Sequence, residues 1–403
     1  MNSQLKDNIY KRDKIISQAV CIQITLVGIK NMLVQAVPFL YARNSMLNIG
    51  LLLIIGIIYI YAYSHSCKSI HINTFFLAVF IVVSFLVTLI IFPQNTPYII
   101  NILPRAIPFC FLTWILLTKL TTFKWIEYYM NRYSLVILVF SLISAMFIFK
   151  IGHISMSEWS TYSMPLSYVT MVAVMWILKR YLNEEKIRWI CMAILGIIVI
   201  IIYGSRNPLL AIAAFIIISV ARKVSGGSGK TKIKYLVITF IGCIIMVFWK
   251  ELLILFGKFL ETYSISSRTI LLLTSDKIST SGRDVIHSTL WSALNQHPFL
   301  GFGVLGDEVV LSSVSQSAHG LYLSILSNYG YFIGGVLLAL LIYWNLCAYK
   351  KANGVEKDIL LMYMCMVWPR GFTGGDIWTS DVFWWMIGLT MSILSYKRSL
   401  VTE

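Results

Sequence analysis

The amino-acid sequence predicts an all-α, polytopic integral membrane protein with about 12 transmembrane helices and one large, partly helical extracytoplasmic loop. Three observations carry that expectation. Of the 403 residues, 58% are hydrophobic and only 12% are charged, about half the charged share usual in soluble domains. Mean hydropathy is +0.78. Apolar runs close to the roughly 20 residues needed to cross a hydrocarbon core recur along the whole chain.

Taken in order, the first apolar run, 15–38, lacks a small-residue cleavage site and is followed by further spans. It therefore reads as a retained helix and not as a secretion signal. Expected spans follow at 46–64, 73–92, 105–120, 134–150, 163–179, 189–203, 208–221 and 235–256, and the last three at 319–347, 359–369 and 381–395. Residues 1–256 thus hold spans one to nine, 257–318 the large extracytoplasmic loop, and 319–403 spans ten to twelve with a cytoplasmic tail. With the N-terminus inside, 22 of the 33 Lys and Arg fall on cytoplasmic segments, the bias that sets orientation. The formal charge of +16 is then mostly topology. It points to a lipid bilayer as the chain's surroundings and not to nucleic acid. Six of the seven cysteines lie within expected spans and Cys67 in a cytoplasmic turn. None is placed for an extracytoplasmic disulfide.

The segment 257–318 is too polar to span and too long for a simple turn, which marks it as a functional loop. Within it Arg283 to Gln296 reads as an amphipathic helix, because Ile286, Leu290 and Leu294 repeat at i+4 with Trp291 beside them. His297-Pro298 ends it, since the residue before proline is driven out of the helical region. Gly301 and Gly303 then permit a tight backbone path. Farther on, Gly330 and Gly334 form a small-xxx-small pair suited to close helix approach.

Several residues could carry chemistry. Ser225 to Thr231 ends like a phosphate-binding loop, but Val224 stands where the first glycine is required and no strand precedes it; nucleotide binding is rejected. Gly204-Ser205-Arg206-Asn207-Pro208 separates spans seven and eight. Asn207 is a favoured N-cap and Pro208 a favoured first helical residue, so a helix N-terminus and the Arg206 guanidinium face outward together. That is either an anion site or a snorkelling anchor. Arg283 opens the loop helix, and Arg105, Arg268 and Arg370 are further outer-face arginines. An arginine fork matches phosphate oxygens as lysine does not. His319, where the loop meets span ten, could take a proton or hold a sugar hydroxyl, or it could be structural. Asp307 and Glu308 are candidate general bases or solvated turn residues. The outer acids include no Asp-x-Asp pair and no His/Cys set of ligand spacing, so no metal site and no cofactor is expected.

In order and spacing these pieces resemble the bacterial O-antigen polymerase and O-antigen ligase superfamily. The resemblance rests on the outer Gly-Ser-Arg turn and on a long outer loop carrying Gly282-Arg283, Trp291, His297-Pro298 and Gly301-Phe302-Gly303. It ends with His319 opening a span of the form His-x-x-Tyr-Leu-x-x-x-x-x-x-Gly-x-x-x-Gly. It covers Gly204 to Gly334 by motif and the whole chain by topology, with Gly320 where the family often has Asn or Ser. It implies a multi-pass protein of the bacterial inner (cytoplasmic) membrane with its active site on the periplasmic face. The implied activity is metal-independent glycosyl transfer in surface-polysaccharide (lipopolysaccharide) biosynthesis, from undecaprenyl-diphosphate-linked oligosaccharide onto another such repeat unit. Arg206, Arg283 and His319 match the family's catalytic positions. Arg105, Arg268, Arg370, Gly301 and Gly303 stand as substrate-binding candidates, and a chain-length regulator and a flippase as implied partners.

Polymerase is the expectation because the His319 segment lacks the acidic residue associated with many ligases; ligation onto lipid A-core is the alternative. A lipid-linked sugar transporter or flippase is the rival of another class. It would need charged residues in mid-membrane and two comparable halves, and the chain shows no repeat of halves.

Overall fold

A computed structural model describes residues 3–66, 71–152, 163–226, 229, 232–235, 248–262, 268–274, 283–314, 318, 320–372, 374 and 376–396. Among the described residues every regular element is helical and there is no strand. Seven helical stretches among the described residues are long and apolar enough to cross a membrane: Asp7–Ala36, Asn44–Ser64, Ile72–Ile91, Pro93–Leu117, Lys124–Phe147, Asn207–Gly226 and Leu321–Lys351. Shorter apolar helices cover Ile187–Ile202 and Asp381–Ser395. Large apolar side chains such as Ile60 and Ile90 are more than 70% exposed, as lipid-facing residues are and the surface of a soluble protein is not. The expected span 235–256 lies largely outside the described residues.

The chain divides into two units: residues 1–24, 49–130 and 280–403 form one, and 25–48 and 131–279 the other. In the first are α3 (Asn44–Ser64) from Ile49 onward, α4 (Ile72–Ile91), α5 (Thr96–Ala106), α6 (Leu112–Leu117), α13 (Arg283–Gln296), α14 (Gly306–Val310), α15 (Leu321–Lys351), α16 (Gly354–Val367) and α17 (Asp381–Tyr396). The first parts of α1 (Ser3–Ala36) and α7 (Lys124–Gly152) belong with them. Its core is aromatic. Trp384 lies 5.0 Å from Phe111 and 5.6 Å from Trp114, and Trp378 lies 5.0 Å from Phe85, ring centre to ring centre. Within the apolar packing, Thr390 of α17 donates to Asn345 of α15 at 2.9 Å.

Residues 93–117 show why a proline-rich run still spans. Pro108 has no N–H to donate, and the helix passes it through one π turn, Ile107–Phe111. The Phe109 carbonyl accepts from Thr113 Oγ1 at 3.0 Å and Gln23 Nε2 at 3.3 Å. Tyr59 Oη completes the group at 2.7 Å from both Gln23 Oε1 and Thr113 Oγ1. Backbone groups displaced from the regular ladder inside lipid need such partners. This span begins well before the expected 105–120.

In the second unit, α8 (Met164–Glu184) and α9 (Ile187–Ile202) make a tight hairpin. Glu185 turns it with a left-handed φ of 55°, and Glu184 accepts from Arg180 Nε at 2.6 Å and Trp189 Nε1 at 2.9 Å. Close approach is set by Gly196, where a Cβ would meet the Val174 side chain. With α10 (Asn207–Gly226), this unit holds α11 (Trp249–Glu261) and α12 (Arg268–Thr274). Leu260 and Ile270 pack there with Ile202.

Candidate functional site

The loop helix α13 runs from Arg283 to Gln296, bounded as its sequence predicts. Ile286 and Leu290 face inward and pack with Leu311, Ala318 and Leu323, which docks α13 against α14 and the first turns of α15. Past Pro298 the chain forms a strap across α15. Phe302 N–H donates to Ser327 O at 2.8 Å, Gly303 N–H to Asn328 O at 3.1 Å, and Tyr331 N–H to Pro298 O at 2.7 Å. Asn95 clamps the strap from the other side, its Nδ2 donating to Phe302 O at 2.8 Å and Val304 O at 3.0 Å.

These contacts are possible because α15 is broken at Gly330, whose φ is 77° and ψ 172°. Gly330 therefore does not serve the close helix pairing its spacing suggests; it admits the strap. Gly301 and Gly303 have φ of 62° and 74°. A Cβ on Gly301 would lie 2.6 Å from Gly330 N, and one on Gly303 2.7 Å from the Phe92 ring. What the two glycines admit is neighbouring protein, which gives them a structural reason to be glycine apart from any ligand.

Three carboxyl groups gather beside the start of α15. Asp307 on α14 is 1% exposed; its Oδ2 accepts Ala318 N–H at 3.1 Å, and its Oδ1 has no partner among the described residues. Burial, then the Asp376 and Glu308 charges, pushes Asp307 up to about 7 against the pull of the Ala318 N–H. Glu308, half-buried, is pushed up to about 7 by burial and then by Asp376. Asp376 is also raised by burial, although N–H groups of Trp378 and Thr379 and two hydroxyls favour its charged form. Those hydroxyls are Ser324 Oγ, 3.3 Å from Oδ1, and Thr379 Oγ1, 3.3 Å from Oδ2. Ser324 lies in the first turn of α15, so this helix carries one support of the cluster.

Arg370 is half-buried in a 3-10 turn, Pro369–Phe372, seated against the same turn of α15. Tyr322 Oη donates to Trp368 O at 2.7 Å and its ring stacks on Trp368; a Cβ on Gly371 would strike that ring. The structure thus brings Arg370, Asp307, Glu308 and Asp376 onto segments that meet at the start of α15, with Arg283 on the helix docked alongside. His287, one turn along α13 from Arg283, has its pKa lowered by burial and then by the Arg283 charge, partly offset by Asp284. Sequence reasoning passed over His287, although its i+4 spacing from Arg283 was visible.

The other predicted residues fall elsewhere. Arg206 belongs to the second unit, half-buried at the turn before α10, where its carbonyl accepts Leu209 N–H at 3.1 Å. Asn207, read as the cap, is instead the first helical residue, and its Nδ2 donates to Tyr168 Oη at 3.3 Å. Arg105 is exposed on α5 and not at a span end. Arg268 opens α12 in the second unit, and its side chain lies outside the described residues, as does His319. Among the described residues no group of three or more His, Cys, Asp or Glu is placed to hold a metal ion. A cavity of about 360 Å³ opens among α4, α15 and α17, lined by Phe76, Phe80, Tyr329, Trp344, Trp378 and Trp384 among other apolar residues.

Fold and site together define a class: a helical protein with several apolar helices of membrane-crossing length, carrying carboxyl and guanidinium groups on segments outside those helices. Beyond that class, no family model, no curated protein and no solved structure matches the chain.

Proposed function

We propose that this chain is a surface-polysaccharide polymerase of the bacterial inner membrane. In this reading it moves a growing glycan from undecaprenyl diphosphate onto the terminal sugar of another undecaprenyl-diphosphate-linked repeat unit. The supporting observation is the grouping, at the start of α15, of acids with raised pKa and of Arg370, beside the helix that Arg283 opens. Of these acids Glu308, half-buried and raised to about 7, suits proton transfer at neutral pH. Guanidinium groups suit the negative charge that develops on a departing diphosphate. The apolar cavity among α4, α15 and α17 has the chemistry to hold an isoprenoid chain.

In the proposed reaction an acceptor hydroxyl attacks the anomeric carbon of the donor's reducing-end sugar. The bond from that carbon to the diphosphate breaks, its electron pair leaves with the diphosphate, and the hydroxyl proton passes to a base on the protein. Arg206 and Arg283 take the diphosphate roles that the resemblance implies for each, and His319 the acceptor-side role. The finer topology belongs to the same proposal: about twelve spans, both termini cytoplasmic, and the 257–318 loop on the periplasmic face.

The test is the purified protein in detergent with a lipid-diphosphate-linked repeat unit, products read by gel. A ladder many repeats long is expected, and Arg206→Ala or Arg283→Ala should abolish it. Near-normal chain growth in both variants overturns the arginine roles. Transfer only after lipid A-core is added identifies a ligase, and silence with both acceptors favours a flippase.

A further inference from the structure

Asp307 occupies an unusual place for an acid. It is 1% exposed, on a short helix whose neighbours Leu311, Ala318, Leu323, Ile286 and Leu290 form an apolar cluster. An ionised carboxylate there loses its hydration with little in return, and an aliphatic side chain would fill the volume without that cost. What the aliphatic side chain could not do is accept the Ala318 N–H, which Asp307 Oδ2 does at 3.1 Å. Ala318 precedes Gly320, the residue from which α15 starts, and Gly320 O in turn accepts Ser324 N–H at 2.8 Å. Ser324 is the residue whose hydroxyl rests on Asp376.

We infer that Asp307 is a positioning residue: its buried carboxyl clamps α14 to the start of α15, and so sets Glu308 on one side and Ser324 with Asp376 on the other. The inference rests on the proposed glycosyl transfer for its kinetic consequence but not for the clamp itself. The clamp needs an acceptor atom and not a charge. Ionisation works against it, because a charged Asp307 would be buried and would face Glu308 on its own helix and Asp376 on the 376–380 segment. Of the elements packed around it, α13 carries Arg283, Asp284 and His287, α15 carries Tyr322 and the 93–95 turn no titratable group, while the charges acting on Asp307 are those of Asp376 and Glu308.

The two roles separate in a pair of variants. Asp307→Asn keeps a carbonyl oxygen for Ala318 and cannot ionise; Asp307→Leu keeps the volume and loses the acceptor. Hydrogen exchange of the Ala318 amide in the detergent-purified protein reads the clamp directly. It should stay slow in the wild type and in Asp307→Asn, and rise at least tenfold in Asp307→Leu. In the chain-elongation assay, Asp307→Leu should lower kcat at least tenfold with the donor KM within about twofold. Asp307→Asn should retain kcat and show a shallower loss of rate above pH 7 than the wild type. Unchanged exchange in Asp307→Leu, or an Asn variant as damaged as the Leu variant in both readouts, overturns the inference. A wild-type protein silent in the elongation assay counts against the proposed function alone, because the exchange measurement still decides the clamp.

Discussion

Replacing Gly330 with alanine is the most direct test of the broken helix. At φ 77° and ψ 172° the backbone lies in a region open essentially to glycine alone, and forcing another residue there costs about 1–3 kcal/mol. The added Cβ would also lie 2.5 Å from Phe299 O and 2.6 Å from Pro298 O. Both are main-chain atoms, so relief requires the strap to move and not merely a rotamer to change. Moving the strap strains the Tyr331–Pro298 and Phe302–Ser327 hydrogen bonds, each worth about 0.5–1.5 kcal/mol. The combined expectation is a loss of about 1.5–6 kcal/mol, taking strain and one or two bonds together. Gly335 is the internal control: it is in the same helix, and a Cβ there meets nothing within 4 Å. Gly335→Ala should be neutral or stabilising by up to about 1 kcal/mol from helix propensity. Reversible unfolding in mixed detergent micelles, followed by tryptophan fluorescence, compares the two. Equal stability of Gly330→Ala and Gly335→Ala would refute the break and with it the docking of the strap.

Two further predictions follow from the same unit. Asn95→Ala should destabilise by about 1–3 kcal/mol, because Phe302 O and Val304 O lose their common donor in a buried place. Asn95→Asp should be worse still, since it sets a carboxyl oxygen against those carbonyls; micelle unfolding with the order reversed would contradict the assigned donor. Stability should also fall between about pH 4 and 7, because Asp307 and Glu308 are raised to about 7 above unfolded values near 4. With a raised native pKa the unfolded chain releases its protons first, so the contribution is full below pH 4 and lost as pH climbs through 7. The double variant Asp307→Asn, Glu308→Gln should flatten that slope in unfolding midpoints at pH 5 and 8, and an unchanged slope would place the titration elsewhere.

Much of the architecture was legible because it is local. The α13 boundaries follow from apolar residues at i+4 and a terminating His-Pro, and the long apolar helices from run length alone. The misread start of the 93–117 stretch has an identifiable cause. Pro93, Pro97, Pro104 and Pro108 look like breakers, yet a π turn and the hydroxyl and amide groups of Thr113 and Gln23 absorb the defect. Of those partners Thr113 is local, but Gln23 lies 86 residues from Phe109 in sequence. The break at Gly330 was hidden for the same reason: both flanks favour helix, and the deviation is set by the hydrogen bonds that Phe302 and Gly303 donate and that the Pro298 carbonyl accepts. Asp307 and Glu308 could be flagged as acids in a loop. Their association with Asp376 arises only once Ser324 and Tyr322 of α15 hold the 368–379 segment in place.

The broken helix and the carboxyl cluster are therefore one structural problem. The part of α15 before the break, 321–329, carries Tyr322 and Ser324 toward the cluster. Its last carbonyls, on Ser327 and Asn328, lack helical donors because the chain leaves the helical path at Gly330. Such groups cannot be left unpaired in an apolar setting, and the strap's Phe302 and Gly303 N–H groups satisfy them. The short helical segment is thus stable only with the strap in place. A perturbation of the strap, though it touches no carboxyl group, should displace Ser324 and release Asp376. On that reasoning Asn95→Ala and Gly330→Ala should alter the pH dependence of the protein as well as its stability. A variant that is destabilised yet keeps the wild-type pH profile would show the break and the cluster to be independent.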